Sequence, residues 1–160
     1  MEHKHRVIYS DWWKSYDFEA MLTVRIPPNI PLHEAHKLYI SEVLRPLAMH
    51  MKTKLAAYTV IVPATELSQK HIHSLVLSNN SMLAGSTLEA EHYLRSLRNR
   101  VITHELSVEI SPIFDLSGAC DYVTKSNHII VGTEFIAYNN WLIKKRTTKE
   151  LHNESNNFHQ

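Results

Sequence analysis

The chain has 160 residues, 44 % hydrophobic and 21 % charged, which suits one globular domain and excludes wholesale disorder. Its 17 Lys and Arg against 16 Asp and Glu leave a net charge of +1, so a polycationic nucleic-acid binder is excluded and any such surface is a local patch. The single cysteine, Cys120, cannot form an intrachain disulfide and points to a reducing compartment; apolar runs are too short for a bilayer and the first residues hold no secretory apolar region. A cytoplasmic protein with no membrane partner is expected.

From Phe18 the chain alternates, with Phe18, Ala20, Leu22, Val24 and Ile26 on one face and Glu19, Thr23 and Arg25 on the other. That is a half-buried strand stopped by Pro27 and Pro28. From Pro31 the period becomes helical through Leu32, Ala35, Leu38, Tyr39, Val43 and Leu47, with Pro46 expected to kink or shorten the helix. Leu55 to Val62 reads as a buried strand, and a short polar connection leads to a second, His71 to Ser78, as an antiparallel hairpin. Ser86-Thr87-Leu88-Glu89 fits a capping box before a helix whose apolar face is Ala90, Tyr93, Leu94 and Leu97. Val101 to Ile110 alternates as a fourth strand, broken by Pro112.

Leu116, Ala119, Cys120 and Val123 predict a short helix over Asp115 to Lys125. Ile129 to Val131 reads as a short strand, Glu134 to Lys145 as a final helix or irregular segment around Trp141, and residues 147–160 as a polar tail after a domain over 1–146. The order β-α-β-β-α-β predicts an α+β fold: a central antiparallel sheet with a split βαβ, ferredoxin/RRM-like core and helices packed on one face. That fold hosts many functions and does not choose among them.

Chemistry enters at His71-Ile72-His73. On a strand both imidazoles project from one face about 6–7 Å apart, close enough for two neutral rings to share a divalent ion. Composition alone yields about 0.4 His-hydrophobic-His triplets in such a chain, so the triplet also fits chance. On the later helix, Tyr122 and Lys125 lie one turn apart on a face away from the core residues, and Gly118 leaves room beside the phenol. A phenol is a weak nucleophile that a polarised phosphate and a nearby ammonium would assist; an ordinary amphipathic helix with a half-exposed tyrosine is the alternative.

Together, and on these elements, the two features resemble the HUH endonuclease superfamily of single-strand DNA nickases, in particular its single-tyrosine rolling-circle replication initiators. The likeness runs over about Phe18 to Val131: Met21-Leu22-Thr23-Val24-Arg25-Ile26 as the early strand motif, His71-Ile72-His73-Ser74-Leu75-Val76 as the histidine motif, and Tyr122-Val123-Thr124-Lys125 as the nucleophile motif. The resemblance implies a sequence-specific endonuclease and strand-transferase that starts rolling-circle replication of a plasmid or phage. His71 and His73 would hold Mg²⁺ or Mn²⁺, Tyr122 would form a 5′-phosphotyrosine link, and Lys125 would stabilise charge on the phosphate. In many members of that superfamily a carboxylate upstream of the first His is a third ligand; Glu66 stands nearest that place, with Asp121, Glu134 or a two-imidazole site completed by water as alternatives.

The implied partners are single-stranded or stem-loop origin DNA and a host helicase and polymerase, in the nucleoid of a bacterial or phage-infected cell. Arg25, Lys52, Lys54, Arg95 and Arg98 are candidate phosphate contacts, with a solvated face as their alternative, and Trp12, Trp13 and Tyr16 candidate stacking platforms. A single-tyrosine transposase uses the same chemistry but often has Gln near the tyrosine, so Lys125 favours replication. A non-catalytic nucleic-acid-binding domain is the reading from another class.

Overall fold

The computed structural model describes residues 11, 13–66, 68–98, 107–129 and 134–144. In chain order it contains β1 (Ala20–Arg25), α1 (Leu32–Leu38), a π-helical stretch (Tyr39–Leu44), α2 (Arg45–Met51), β2 (Leu55–Val62), β3 (His71–Ser78), a 3₁₀ turn (Leu83–Gly85), α3 (Thr87–Arg98), β4 (Ser107–Pro112), α4 (Leu116–Ile129) and β5 (Glu134–Tyr138). The strands form one sheet in the order β4-β1-β3-β2-β5, antiparallel at every pairing. Its first four strands have the split βαβ arrangement expected from the element order, and the protein is α+β.

Strand alternation divides the core in two. Leu22, Val24, Ile61, Ile72 and Val76 face one side, where Ala35, Tyr39, Val43, Leu47, Ala90 and Leu94 of the α1–α2 run and α3 cover them. Leu75, Leu77, Tyr58, Val60 and Val62 face the other side, under Cys120 and Val123 of α4 and the Trp13–Phe18 segment. The two crossover helices thus share one face, and α4 lies on the opposite one together with Leu142 and Ile143 of a helical turn over 140–144. β2 sits between β3 and β5 with both faces covered, so all eight of its residues are buried; that is why it reads as an unbroken apolar run.

Several expectations need correction. Pro46 does not end the first helix: the chain stays helical from Leu32 to Met51 by widening to π geometry over Tyr39–Leu44, and the Arg45 N–H bonds to the Ile40 carbonyl. The proline ring cannot donate and would crowd the carbonyl four residues back, so a wider turn just before it relieves both problems. Glu134–Tyr138 is a strand rather than the start of a helix, because it pairs with the otherwise open edge of β2, Ile136 opposite Thr59. The helix over Asp115 to Lys125 runs on to Ile129, so no strand begins there, while residues 130–131 and 101–106 lie outside the described residues.

Phe18 packs on the α4 side with Tyr16 and Tyr58, because residues 17–19 are not yet in the strand. Glu19 is buried where a solvent-facing side chain was expected. Its carboxylate accepts hydrogen bonds from the Ser78 N–H, the Ser78 hydroxyl (2.8 Å) and the Ala84 N–H (3.1 Å), tying the start of β1 to the end of β3 and the turn after it.

Candidate active site

β1 and β3 pair so that Thr23 stands opposite His73 and Arg25 opposite His71. Opposed residues on an antiparallel pair share a face, so all four side chains lie on the α4 side of the sheet. The two imidazoles meet edge to face with ring centroids 4.8 Å apart. Each has its Nδ1 engaged: that of His71 lies 2.8 Å from the Gln69 main-chain oxygen, and that of His73 lies 3.3 Å from the Thr23 hydroxyl. The Gln69 carbonyl only accepts, so Nδ1 of His71 carries the proton and its Nε2 presents the lone pair, the pattern found at metal-ligating histidines; His73 matches it in the tautomer whose Nδ1–H donates to the Thr23 hydroxyl.

His73 is only 5 % exposed, and burial, reinforced by the neighbouring His71, pushes its imidazole down to about 4. At neutral pH the ring is therefore neutral and its lone pair is available. Two oriented imidazoles on one face suit a divalent ion of the Mn²⁺ type better than Mg²⁺, which prefers an all-oxygen shell.

α4 brings the phenol to this pair. Leu116, Ala119, Cys120 and Val123 turn inward as the spacing predicts, and the helix contacts β2 and β3. Tyr122 then falls on the outer side, 54 % exposed, with its ring 5.1 Å from that of His73 and nearly perpendicular to it (68°). Thr23, Arg25, Ser68, Gln69, His71, His73 and Tyr122 line one open cleft of about 320 Å³. Lys125 is exposed one turn beyond Tyr122 on the same helix.

Gly118 does not open space beside the phenol. A Cβ there would collide with the Asp115 carboxylate, which caps the helix by accepting the Gly118 N–H at 2.9 Å. The small residue serves the start of α4 rather than the site.

The other candidates are dispersed. Glu66 is exposed in the β2–β3 connection and lines a neighbouring cleft; among the described residues no third His, Cys, Asp or Glu joins the two imidazoles in a ligand cluster. Asp121 is turned to Lys14, 3.3 Å away. Glu134 stands opposite Ile61, on the far face, near His36. The carboxylate that the sheet register does align with His73 is Glu109. Glu109, Thr23 and His73 stand side by side across β4, β1 and β3, with Glu109 two strand spacings out, roughly 10 Å.

Among the basic residues, Arg25 lines the cleft and lies 3.9 Å from Glu109. Lys52 and Lys54 precede β2, at the sheet end roughly 23 Å from His71, and Lys54 sits over the Trp141 ring at 5.3 Å. Arg95 is on α3, across the sheet from the site, paired with Glu91 at 2.6 Å; the Arg98 side chain and Trp12 are outside the described residues. Trp13 and Tyr16 do not serve as stacking platforms: both are buried, packed against Tyr58. Gln69 and Thr23 orient the two imidazoles; Thr23 stands in the sequence only as part of the early strand motif, and Gln69 carries no signal there. Only the β1–β3 register and the turn into β3 reveal that role.

No family model matches this chain, and neither does any curated protein or solved structure. Among the described residues no helix is long and apolar enough to cross a membrane.

Proposed function

We propose that this protein is a metal-dependent single-strand DNA nickase and strand-transferase that initiates rolling-circle replication, with Tyr122 as its nucleophile. The observation that carries the reading is the meeting of an exposed phenol with two Nδ1-anchored imidazoles, His73 and Tyr122 being 5.1 Å apart ring to ring although they come from distant parts of the sequence.

His71 and His73 would hold the divalent ion, which when bound withdraws charge from the non-bridging oxygens of a phosphodiester. The Tyr122 oxygen attacks phosphorus and loses its proton. The bond from phosphorus to the 3′-oxygen breaks, and that oxygen takes up a proton, leaving a free 3′-OH and a 5′-phosphotyrosine. Exchanging one phosphodiester for another keeps the reaction reversible, so a later 3′-OH can attack the phosphotyrosine and rejoin the strand. Arg25, which lines the cleft, and Lys125, one turn beyond Tyr122, would supply positive charge that stabilises the more charged transition state. The lysine beside the tyrosine supports replication over transposition; duplex unwinding and synthesis then fall to a host helicase and polymerase.

The test mixes the protein with pooled, end-labelled single-stranded DNA and Mn²⁺ and looks for a labelled band that survives SDS. The expected band is lost in Tyr122→Phe and falls at least about tenfold in His71→Ala and in His73→Ala. Binding that is only reversible and salt-sensitive would leave a non-catalytic nucleic-acid module in its place.

A further inference from the structure

Beside the imidazole cleft, across the β2–β3 connection, lies a second cleft of about 340 Å³ whose lining includes Ile26, Pro28, Glu66, Ser68, Gln69 and Lys70. Ser68 and Gln69 line both clefts, so the two form one trough divided at Gln69, the residue whose main-chain oxygen anchors His71. Each half is at the small end of the range for small-ligand sites, about 300–1,000 Å³.

The walls of the second cleft are fixed. Thr65 and Ser68 staple their turn with the Thr65 N–H on the Ser68 carbonyl (2.9 Å) and the Ser68 N–H on the Thr65 hydroxyl (3.1 Å). On the other side the Lys70 amine is spent on the Pro28 and Ile30 carbonyls. Of the two charged groups lining the cleft, the one left to meet a ligand is therefore the Glu66 carboxylate. A phosphate is disfavoured there, whereas a flat ring resting on the exposed Pro28 and offering N–H donors is matched.

We propose that this second cleft takes the nucleobase next to the phosphate that Tyr122 attacks, and that Glu66 and Gln69 select a base bearing an exocyclic amino group; the proposal rests on the nickase reading. A carboxylate oxygen accepts, so it suits the N1–H and N2–H₂ edge of guanine, the N4–H₂ of cytosine or the N6–H₂ of adenine, and it opposes the two carbonyls of thymine. Glu66 is then a specificity-determining residue with no part in holding the metal.

The test selects from a randomised single-stranded DNA library in Mn²⁺, using Tyr122→Phe, which binds without reacting, and the Tyr122→Phe, Glu66→Gln double variant. Tyr122→Phe is expected to enrich a base with an exocyclic amino group (guanine, cytosine or adenine) over thymine about tenfold at one position. Glu66→Gln, which swaps one acceptor for a donor, is expected to bring that ratio to within about twofold of unity with Mn²⁺ affinity unchanged. Selection without such a position, a ratio untouched by Glu66→Gln, or weaker Mn²⁺ binding in the double variant would each overturn the proposal. If the base preference stands but the wild type forms no SDS-stable adduct with the selected sequence, the nickase reading fails alone. If the adduct forms and the preference is absent, only the role of Glu66 fails.

Discussion

His73 ties the chemistry of the site to the stability of the fold. Its imidazole is pushed from 6.5 down to about 4 by burial, with His71 adding to the effect, so the native protein resists a proton that the unfolded chain accepts. The unfolded state then binds more protons between these values, and stability rises with pH across that window. In EDTA, the unfolding free energy of the wild type should be full above about pH 6.5. It should fall toward pH 4 with an extra slope approaching ~1.4 kcal/mol per pH unit that His73→Gln lacks. Denaturant melts of the two proteins across pH 4–8 measure it; parallel curves would mean that the ring is not shielded as described. At this scale the pair His71 and His73 was legible because a two-residue spacing on a strand fixes a common face. Their anchors, Thr23 and Gln69, were not, because cross-strand register and a main-chain oxygen leave no trace in residue identity.

Among the elements, α4 decides whether there is a site at all, since it alone carries Tyr122 and Lys125 to the sheet. Its start is held by Asp115, whose carboxylate accepts the Gly118 N–H. Asp115→Ala should cost about 1 kcal/mol of stability and lower adduct yield, while Asp115→Asn, which keeps an acceptor oxygen at the cap, should retain most of both. Thermal melts and the SDS-resistant band read the two effects separately. The inward face of α4 was legible from the period of Leu116, Ala119, Cys120 and Val123, and β2 and β3 from their apolar runs between polar breaks. Glu134–Tyr138 was not, since a five-residue stretch before Trp141 fits either a helix or a strand until β2 offers it an open edge. Nor was the π stretch, because a proline within a helical pattern signals trouble without saying whether the helix ends or widens.

For the molecule as a whole, the sheet separates two surfaces. One is sealed by the α1–α2 run and α3; the other is covered by α4 and the Trp13–Phe18 segment over β2 and β3, while Arg25 and Glu109 stay exposed beyond them. With a net charge of only +1, the DNA affinity that the proposed function requires would come from the few cations on the face that carries the cleft. Arg25→Ala should lower the slope of log affinity against log salt for single-stranded DNA by about 0.7, one phosphate contact, and Arg95→Ala on the opposite surface should leave it unchanged. Fluorescence titrations at several salt concentrations distinguish them. A slope that responds to Arg95 and not to Arg25 would put the strand on the wrong side of the sheet.

The convergence of two imidazoles and one phenol can be measured without knowing which sequence is nicked. Protein carrying ¹³C-labelled His and Tyr rings is titrated with substoichiometric Mn²⁺ while side-chain resonances are followed by NMR. Paramagnetic broadening should strike His71, His73 and Tyr122 together and spare His33 and His50, which sit on the helical surface away from the cleft. Broadening that misses Tyr122 while erasing the imidazoles, or that falls on other residues, would contradict a single metal-assisted centre built from these three side chains.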